Sequence, residues 1–350
     1  SLTTTQLGLI ATASYIGNLV FLLVGGNLST RFSKKRVLQV LILIWMAALA
    51  LFAFTSNYTV LLIGMALALG SSTLLNTTMD LITPLLFATA PGFFVNFLFF
   101  TQEIGTSGSQ YILGSHADGF AFWQHTNLVL LILGAVAFVL LLFCNVPEEA
   151  AAPADAPAQK GGYDWRIIVP YVLVFGFYFI AEHGVMNWMV AYGVDGLGLP
   201  QASAAKYLSV FFGGMMIGRL CLSPLVDKLG ALKSLAAFGG VSCVLYLIGS
   251  LGGAVTMPVW AISGLSFSIL YPTLVMSIRL YFPAQQVSGA AGTILSIASL
   301  ADILFNVGFG KLVDMTGYAV SIRVLPLSAL AFFIVFMLFT KFCKPTQKLK

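Results

Sequence analysis

Long apolar runs, separated by short polar or charged breaks, predict helices over residues 7–29, 37–55, 59–87, 92–114, 124–146, 166–193, 204–226, 232–250, 255–281, 286–312 and 320–342. Each run is close to the ~20 residues that a helix needs to cross the hydrocarbon core of a bilayer. A membrane β-barrel would instead show weak alternation over segments of about ten residues. The pattern therefore predicts an all-α membrane protein with about eleven transmembrane helices. Between the fifth and sixth runs lies NVPEEAAAPADAPAQKGGYDW, the one long polar, Ala/Pro-rich stretch, with the composition of a flexible linker. The expected organisation is a helical bundle over 1–146, a linker over 147–164 and a second bundle over 165–350.

Composition agrees with a membrane protein. Of the 350 residues, 59% are hydrophobic and 8% charged, and the mean hydropathy is +0.96, a balance that no water-soluble domain of this length sustains. The net charge of +5 raises nucleic acid as a partner, but the basic residues sort by side of the membrane. If the turn RFSKKR (31–36) is cytoplasmic and the sides alternate, thirteen of the 17 Lys and Arg fall in cytoplasmic segments, three fall opposite, and Arg219 lies within a span. This is the loop asymmetry that orients membrane proteins, so no nucleic-acid partner is expected. The linker and C-terminus are expected in the cytoplasm, and the protein in the inner (plasma) membrane of a bacterium. Cys144, Cys221, Cys243 and Cys343 stand singly in or beside apolar runs, as packing residues do. The sequence contains no phosphate-cradling Gly-rich loop, HExxH or Cys/His cluster, so neither ATP-driven pumping nor a metal or other cofactor is expected. The chain opens on SLTTTQLG without a basic leader, and is expected to follow a missing segment.

Asp80, Glu103, Glu182 and Asp302 fall inside apolar runs, where a charged side chain costs ~2.5–3.5 kcal/mol at a helix centre. Such residues face cavities and carry function, or stay protonated or paired for packing. Glu103 lies ~16 Å into its span, with Gln102 before it and Asn96 two turns earlier on the same face. An amide with an acid suits a polyhydroxylated ligand or a proton. Glu182 is followed by Asn187 and Trp188, whose ring either stacks on a pyranose or meets lipid. His183 points ~100° from Glu182 on an ideal helix, so no pair between them is expected. Asp302 and Asn306, at i and i+4, form a further polar patch. Arg219 either snorkels to the cytoplasmic end or pairs with an acid such as Glu182 or Asp302. Tyr271 precedes Pro272, which supplies a kink, with or without a hydroxyl at a cavity.

The two halves carry related turns at their first helical hairpins: GGNLSTRFSKKR (25–36) and SPLVDKLGALK (223–233). Both resemble the G-x-L-x-D-R-x-G-R-R loop of the major facilitator superfamily, which implies two pseudo-repeated six-helix bundles with a substrate site between them near the midplane. The second turn keeps Leu225, Asp227, Lys228, Gly230 and Lys233. The first keeps Gly26, Leu28, Arg31, Lys34 and Lys35, with Thr30 in place of the family's Asp and Ser33 in place of its Gly. On this resemblance the first of twelve helices is missing, and these turns, with Arg219, are gating or structural elements.

NYTVLLIG (57–64), AEHGVMNWMVAY (181–192), KYLSVFFGGMMIGRL (206–220) and LYPTLVMS (270–277) are similar to the fucose–galactose–glucose:proton symporters. The resemblance implies that Glu182 and Trp188 line the cavity and that Asn76 occupies the position of the family's proton-titrating Glu, while Asp80 takes that of its Asn. Phe99 replaces a substrate-contacting Gln. The expected function is a secondary transporter that imports a small polar solute, a sugar with protons, by alternating access. The candidate substrate residues are Asn76, Asn96, Gln102, Glu182, Asn187, Trp188, Tyr271, Asp302 and Asn306, and the candidate proton carriers are Glu103, Asp80 and Glu182. Export of amphipathic compounds by proton antiport is the alternative, kept open by 29 Phe residues. A membrane enzyme or sensor on the same scaffold lacks any visible nucleophile–base or metal constellation. The expected partners are the solute, protons and the lipid bilayer, and the expected state is a monomer.

Overall fold

The computed structural model describes residues 4–28, 31–115, 120–146 and 163–346. Residues 147–162 of the expected linker, Thr30 and the side chain of Asn306 lie outside the described residues. Helix occupies each of the eleven predicted stretches, and no strand occurs among the described residues. The helices are α1 (Thr4–Val20), α2 (Lys34–Phe54), α3 (Tyr58–Leu86), α4 (Pro91–Ser115), α5 (Phe120–Phe143), α6 (Trp165–Ala191), α7 (Gln201–Cys221), α8 (Ser223–Leu229), α9 (Ala231–Leu251), α10 (Met257–Ile262), α11 (Gly264–Phe267), α12 (Leu270–Ser277), α13 (Ala284–Thr316), α14 (Tyr318–Ser321) and α15 (Val324–Phe342). Among the described residues eight helices are long and apolar enough to cross a membrane, or nine if the bent pair α7 and α8 is one span.

Two expected continuous spans are interrupted, each for a local reason. The span over 204–226 bends by 49° between α7 and α8, where Pro224 occupies the first turn of α8 and cannot continue the preceding ladder. The span over 255–281 is built from α10, α11 and α12. Backbone carbonyls near its breaks are taken up by serines: Ser266 Oγ donates to the Ser263 carbonyl (3.0 Å), Ser268 to Leu265 (2.7 Å) and Ser277 to Leu274 (2.7 Å). Irregular backbone at membrane depth persists only where such groups are satisfied by protein. Gly230, between α8 and α9, has φ +82°, the left-handed region that a side chain disfavours.

The chain groups into two compact units. One contains residues 1–86, 102–161 and 283–296, and the other residues 87–101, 162–282 and 297–350. In the first, Leu49, Phe52 and Leu61 form a core with Trp45, Met65 and Trp123 against them. Here the end of α1's stretch also meets the start of α13 closely: a Cβ on Gly292 would lie 2.3 Å from the Leu22 carbonyl oxygen and 3.0 Å from Gly26 Cα. In the second unit, Tyr178 stacks on Phe267 (5.5 Å) and Tyr246 on Phe267 (4.7 Å), and Phe332 meets Tyr178 edge-on (5.9 Å). These rings join α6, α9, α11 and α15 into one apolar core.

Candidate functional site

In the second unit, α6 and α13 bring three titratable side chains together. His183 Nδ1 lies 2.7 Å from Asp302 Oδ2, and its Nε2 lies 3.9 Å from Glu182 Oε2. Both carboxylates are almost wholly buried, with side-chain exposures of 7% for Glu182 and 10% for Asp302, whereas the imidazole is 36% exposed. The expectation that His183 stands apart from Glu182 is thus corrected. Consecutive Cβ atoms do diverge on a helix, but the Glu side chain is long enough to swing back, and Asp302 approaches the ring from another helix.

The imidazole lies parallel to Phe179, at 5.3 Å and 4°. Phe179 continues to Tyr271 (5.9 Å), and Tyr271 to Phe99 edge-on (5.5 Å). Phe99 therefore builds an aromatic wall where the resembled symporters carry an amide. Trp188, a turn and a half beyond His183, packs on Phe309 (4.9 Å), so α6 and α13 touch at two levels. Asn187 is exposed.

The first turns of α4 belong to this unit and are held by α7 and α8. The Asp227 carboxylate accepts from the backbone N–H of Gly92 (2.6 Å) and of Phe93 (2.9 Å), two of the amides that a helix start leaves without partners. Pro91 opens the helix and Ala90 has no side-chain acceptor, so Asp227 provides the cap from a distance. Arg219 is 5% exposed, which rules out snorkelling. Its Nε and Nη1 donate to the carbonyls of Ser268 (3.4 Å) and Phe99 (3.5 Å), and its guanidinium sits 5.3 Å from the Phe99 ring centre. Asn96 is buried, with Nδ2 donating to the Gly92 carbonyl (2.8 Å) and Oδ1 without a hydrogen-bond partner. Lys228 is exposed.

In the first unit, Asn76 lines a cavity of about 250 Å³ with Ile42, Trp45, Ser72, Leu75 and Gly134. Asp80, one turn on, is buried (2% exposed). It lies in a helix whose hydroxyls bond back to their own turn: Thr77 to the Thr73 carbonyl (2.9 Å), Thr78 to Leu74 (2.7 Å) and Thr83 to Met79 (2.7 Å). Glu103 is half-buried and Gln102 exposed. Of the basic turn, Lys34 donates to the hydroxyl of Ser288. Lys35 donates to the Leu142 carbonyl (2.9 Å) at the end of α5, and Arg31 is exposed.

The contacts that sequence reasoning did not find are those of His183 with Glu182, Asp302 and Phe179. The only signal for His183 was its adjacency to Glu182, and its partner Asp302 lies 119 positions away.

Residues 1–301 match the family model of the Major Facilitator Superfamily. The putative glucose/galactose transporter of Helicobacter pylori is 25% identical over 219 residues, which cover 62% of this chain and 53% of that protein. The glucose/galactose transporter of Brucella abortus biovar 1 is 28% identical over 190 residues, 52% of this chain and 44% of that protein. The chain thus spans about half the length of these two relatives. Among solved structures, FucP in the outward conformation superposes with a TM-score of 0.82 at 19% identity, covering 97% of this chain and 91% of FucP. FucP is the fucose:proton symporter of E. coli, and at that identity the likeness speaks to the fold.

Proposed function

The chain belongs to the Major Facilitator Superfamily, and on that premise we propose that it forms part of a secondary transporter that imports a hexose-like solute together with protons by alternating access. The observation that carries this reading is the pairing of buried Glu182 and Asp302 with His183 beside an aromatic wall in a membrane-embedded unit. Ionisable groups at that depth mark solute and proton pathways, and aromatic faces suit the apolar side of a sugar ring. The names of the two glucose/galactose transporters and of the fucose:proton symporter support the same solute class.

In this reading the sugar meets Asn76, Asn96, Gln102, Asn187, Trp188, Tyr271 and Asn306. Glu103, Asp80, Glu182 and Asp302 supply the acids. Arg31, Lys34, Lys35, Arg219, Asp227, Lys228 and Gly230 hold the helix ends that open and close. The two halves of the chain, 1–146 and 165–350, act as the moving bundles. The protein works as a monomer in a bacterial inner membrane, with the linker and C-terminus in the cytoplasm.

The test is uptake of labelled glucose, galactose and fucose by the full-length protein in proteoliposomes, with and without an imposed acid-outside gradient. The expected result is accumulation that the gradient drives and an uncoupler collapses. Accumulation indifferent to both would end the proton-coupled reading, and uptake of organic anions in place of hexoses would end the solute assignment.

A further inference from the structure

The contacts of His183 leave one position in the cluster for a transferable proton. A carboxylate can only accept a hydrogen bond, so the 2.7 Å contact with Asp302 makes Nδ1 of His183 the protonated nitrogen of a neutral ring. The other nitrogen, Nε2, then presents its lone pair to the Glu182 carboxylate at 3.9 Å. A lone pair and an anion facing each other repel. A single added proton removes that repulsion. On Nε2 it makes an imidazolium between two carboxylates; on Glu182 it makes an acid facing an acceptor nitrogen. The two forms contain the same number of protons and differ only in which group holds the added one, so the residues titrate as a unit.

We propose that the coupling proton is carried between His183 Nε2 and Glu182, with Asp302 as the positioning residue that fixes the tautomer. This deepens the proton-coupled reading above and rests on it. His183 is the most exposed of the three, so the proton enters and leaves through the imidazole.

The surrounding charged and titratable groups fit a site that changes by one proton. Glu182 lies beside Tyr178 on α6 and within electrostatic reach of Tyr246 on α9, and Arg219 on α7 acts on Tyr178. From α12, Tyr271 stands behind Phe179. The α15 residue against Gly184 is Leu325, and the ionisable residue of that helix, Lys341, lies ~24 Å further along it. The loaded cluster of His183, Glu182 and Asp302 carries one negative charge and the empty one two, a difference that a site of low dielectric feels strongly. The same α6–α13 pair is joined at Trp188 and Phe309, so a change in the His183–Asp302 bond acts on a helix contact as well as on a charge.

Two measurements test this on the full-length protein. In proteoliposomes, His183→Gln lowers gradient-driven hexose accumulation by at least about fivefold more than it lowers hexose counterflow, the lower bound of a typical coupling free energy. Equal losses in both, or none in accumulation, overturn the proposal while leaving sugar transport standing. In purified, sugar-free protein, an infrared pH titration shows imidazole and carboxyl bands changing in one transition that is absent from Glu182→Gln. In Asp302→Asn, nitrogen-15 NMR of labelled histidine shows His183 no longer held as the Nδ1–H tautomer. Separate imidazole and carboxyl transitions in the parent overturn the proposal even if no variant folds. If the parent moves no hexose under any gradient, the functional reading fails, and the sugar-free titration still decides the proton site.

Discussion

The strongest stability prediction concerns the cap that Asp227 places on α4. Its two carboxylate oxygens accept from the Gly92 and Phe93 amides at 2.6 and 2.9 Å, both short enough for charge-assisted bonds. Losing a helix cap typically costs about 0.5–2 kcal/mol, and the favourable placement of an anion at a helix start contributes about 0.3–1 kcal/mol. Asp227→Ala removes both contributions, so a loss of about 2 kcal/mol is expected. Asp227→Asn keeps one acceptor and loses the charge, which sets its loss near 1 kcal/mol and makes it sensitive to salt, as a partly exposed charge must be.

Geometry supplies a second handle on the same bond. A Cβ on Gly92 would stand 2.8 Å from Asp227 Oδ1 and 2.9 Å from Val226 Cγ1, so Gly92→Ala displaces the carboxylate. Thermal unfolding in detergent of Gly92→Ala, Asp227→Ala and the double variant forms a cycle. Because both single changes break the same contact, a coupling of about 1 kcal/mol is expected between them. Strict additivity, or an Asp227→Ala variant as stable as its parent, would refute the cap.

Other expectations follow from close approaches and buried hydroxyls. Gly292→Ala drives a methyl group against the Leu22 carbonyl at 2.3 Å and should lower the melting temperature, with an overpacking cost of about 1–3 kcal/mol. Gly105→Ala, at a position with nothing within 4 Å, should be neutral or raise stability by up to about 1 kcal/mol through helix propensity; the opposite ranking in a thermal-shift series would be incompatible with the structure. Tyr281, in the turn after α12, has a buried hydroxyl with no hydrogen-bond partner. Tyr281→Phe removes a polar group whose burial no bond offsets, so the variant should melt no lower than its parent, and a clear drop in melting temperature would count against that geometry.

The helical stretches were legible because a run of about twenty apolar residues has few other uses. What the runs could not convey was continuity. The stretch 255–281 reads as one span, yet it is three short helices with serine hydroxyls bonded to carbonyls near the breaks. Ser266, Ser268 and Ser277 look like ordinary small residues until those carbonyls are located. Glu182 and Asp302 stood out by the cost of burying an acid, and Asp227 by its turn. Their partners did not, for two different reasons. His183 meets Asp302 across 119 positions, which no local pattern encodes. Asp227 bonds backbone amides in Ala-Pro-Gly-Phe, a helix start whose missing side-chain acceptor becomes informative only once the distant acid is placed. Arg219 reads from the sequence as a helix-end or acid-paired cation, and the aromatic face and two carbonyls that it meets are also sound partners for a guanidinium.

The two related basic turns hold helix starts by opposite means, and this predicts different responses to mutation. Asp227 brings a negative charge to the positive end of α4, where the helix dipole assists it. Lys34 brings a positive charge to the first turns of α13, where the dipole offers no help, and the acceptor is the Ser288 hydroxyl. Both Lys34 and Ser288 are buried, so screening by salt reaches them weakly. Hydrogen bonds to charged groups contribute about 1.5–3 kcal/mol. Ser288→Ala should therefore destabilise the protein by about that amount, equally at low and high salt. Asp227→Asn should lose part of its effect as salt is raised, since its parent's advantage is partly a field effect at an accessible helix end. Melting both variants across a salt series separates the cases. A Ser288→Ala penalty that vanishes in salt would mean that Lys34 is held by exposed charges, and the two turns would then work by the same means after all.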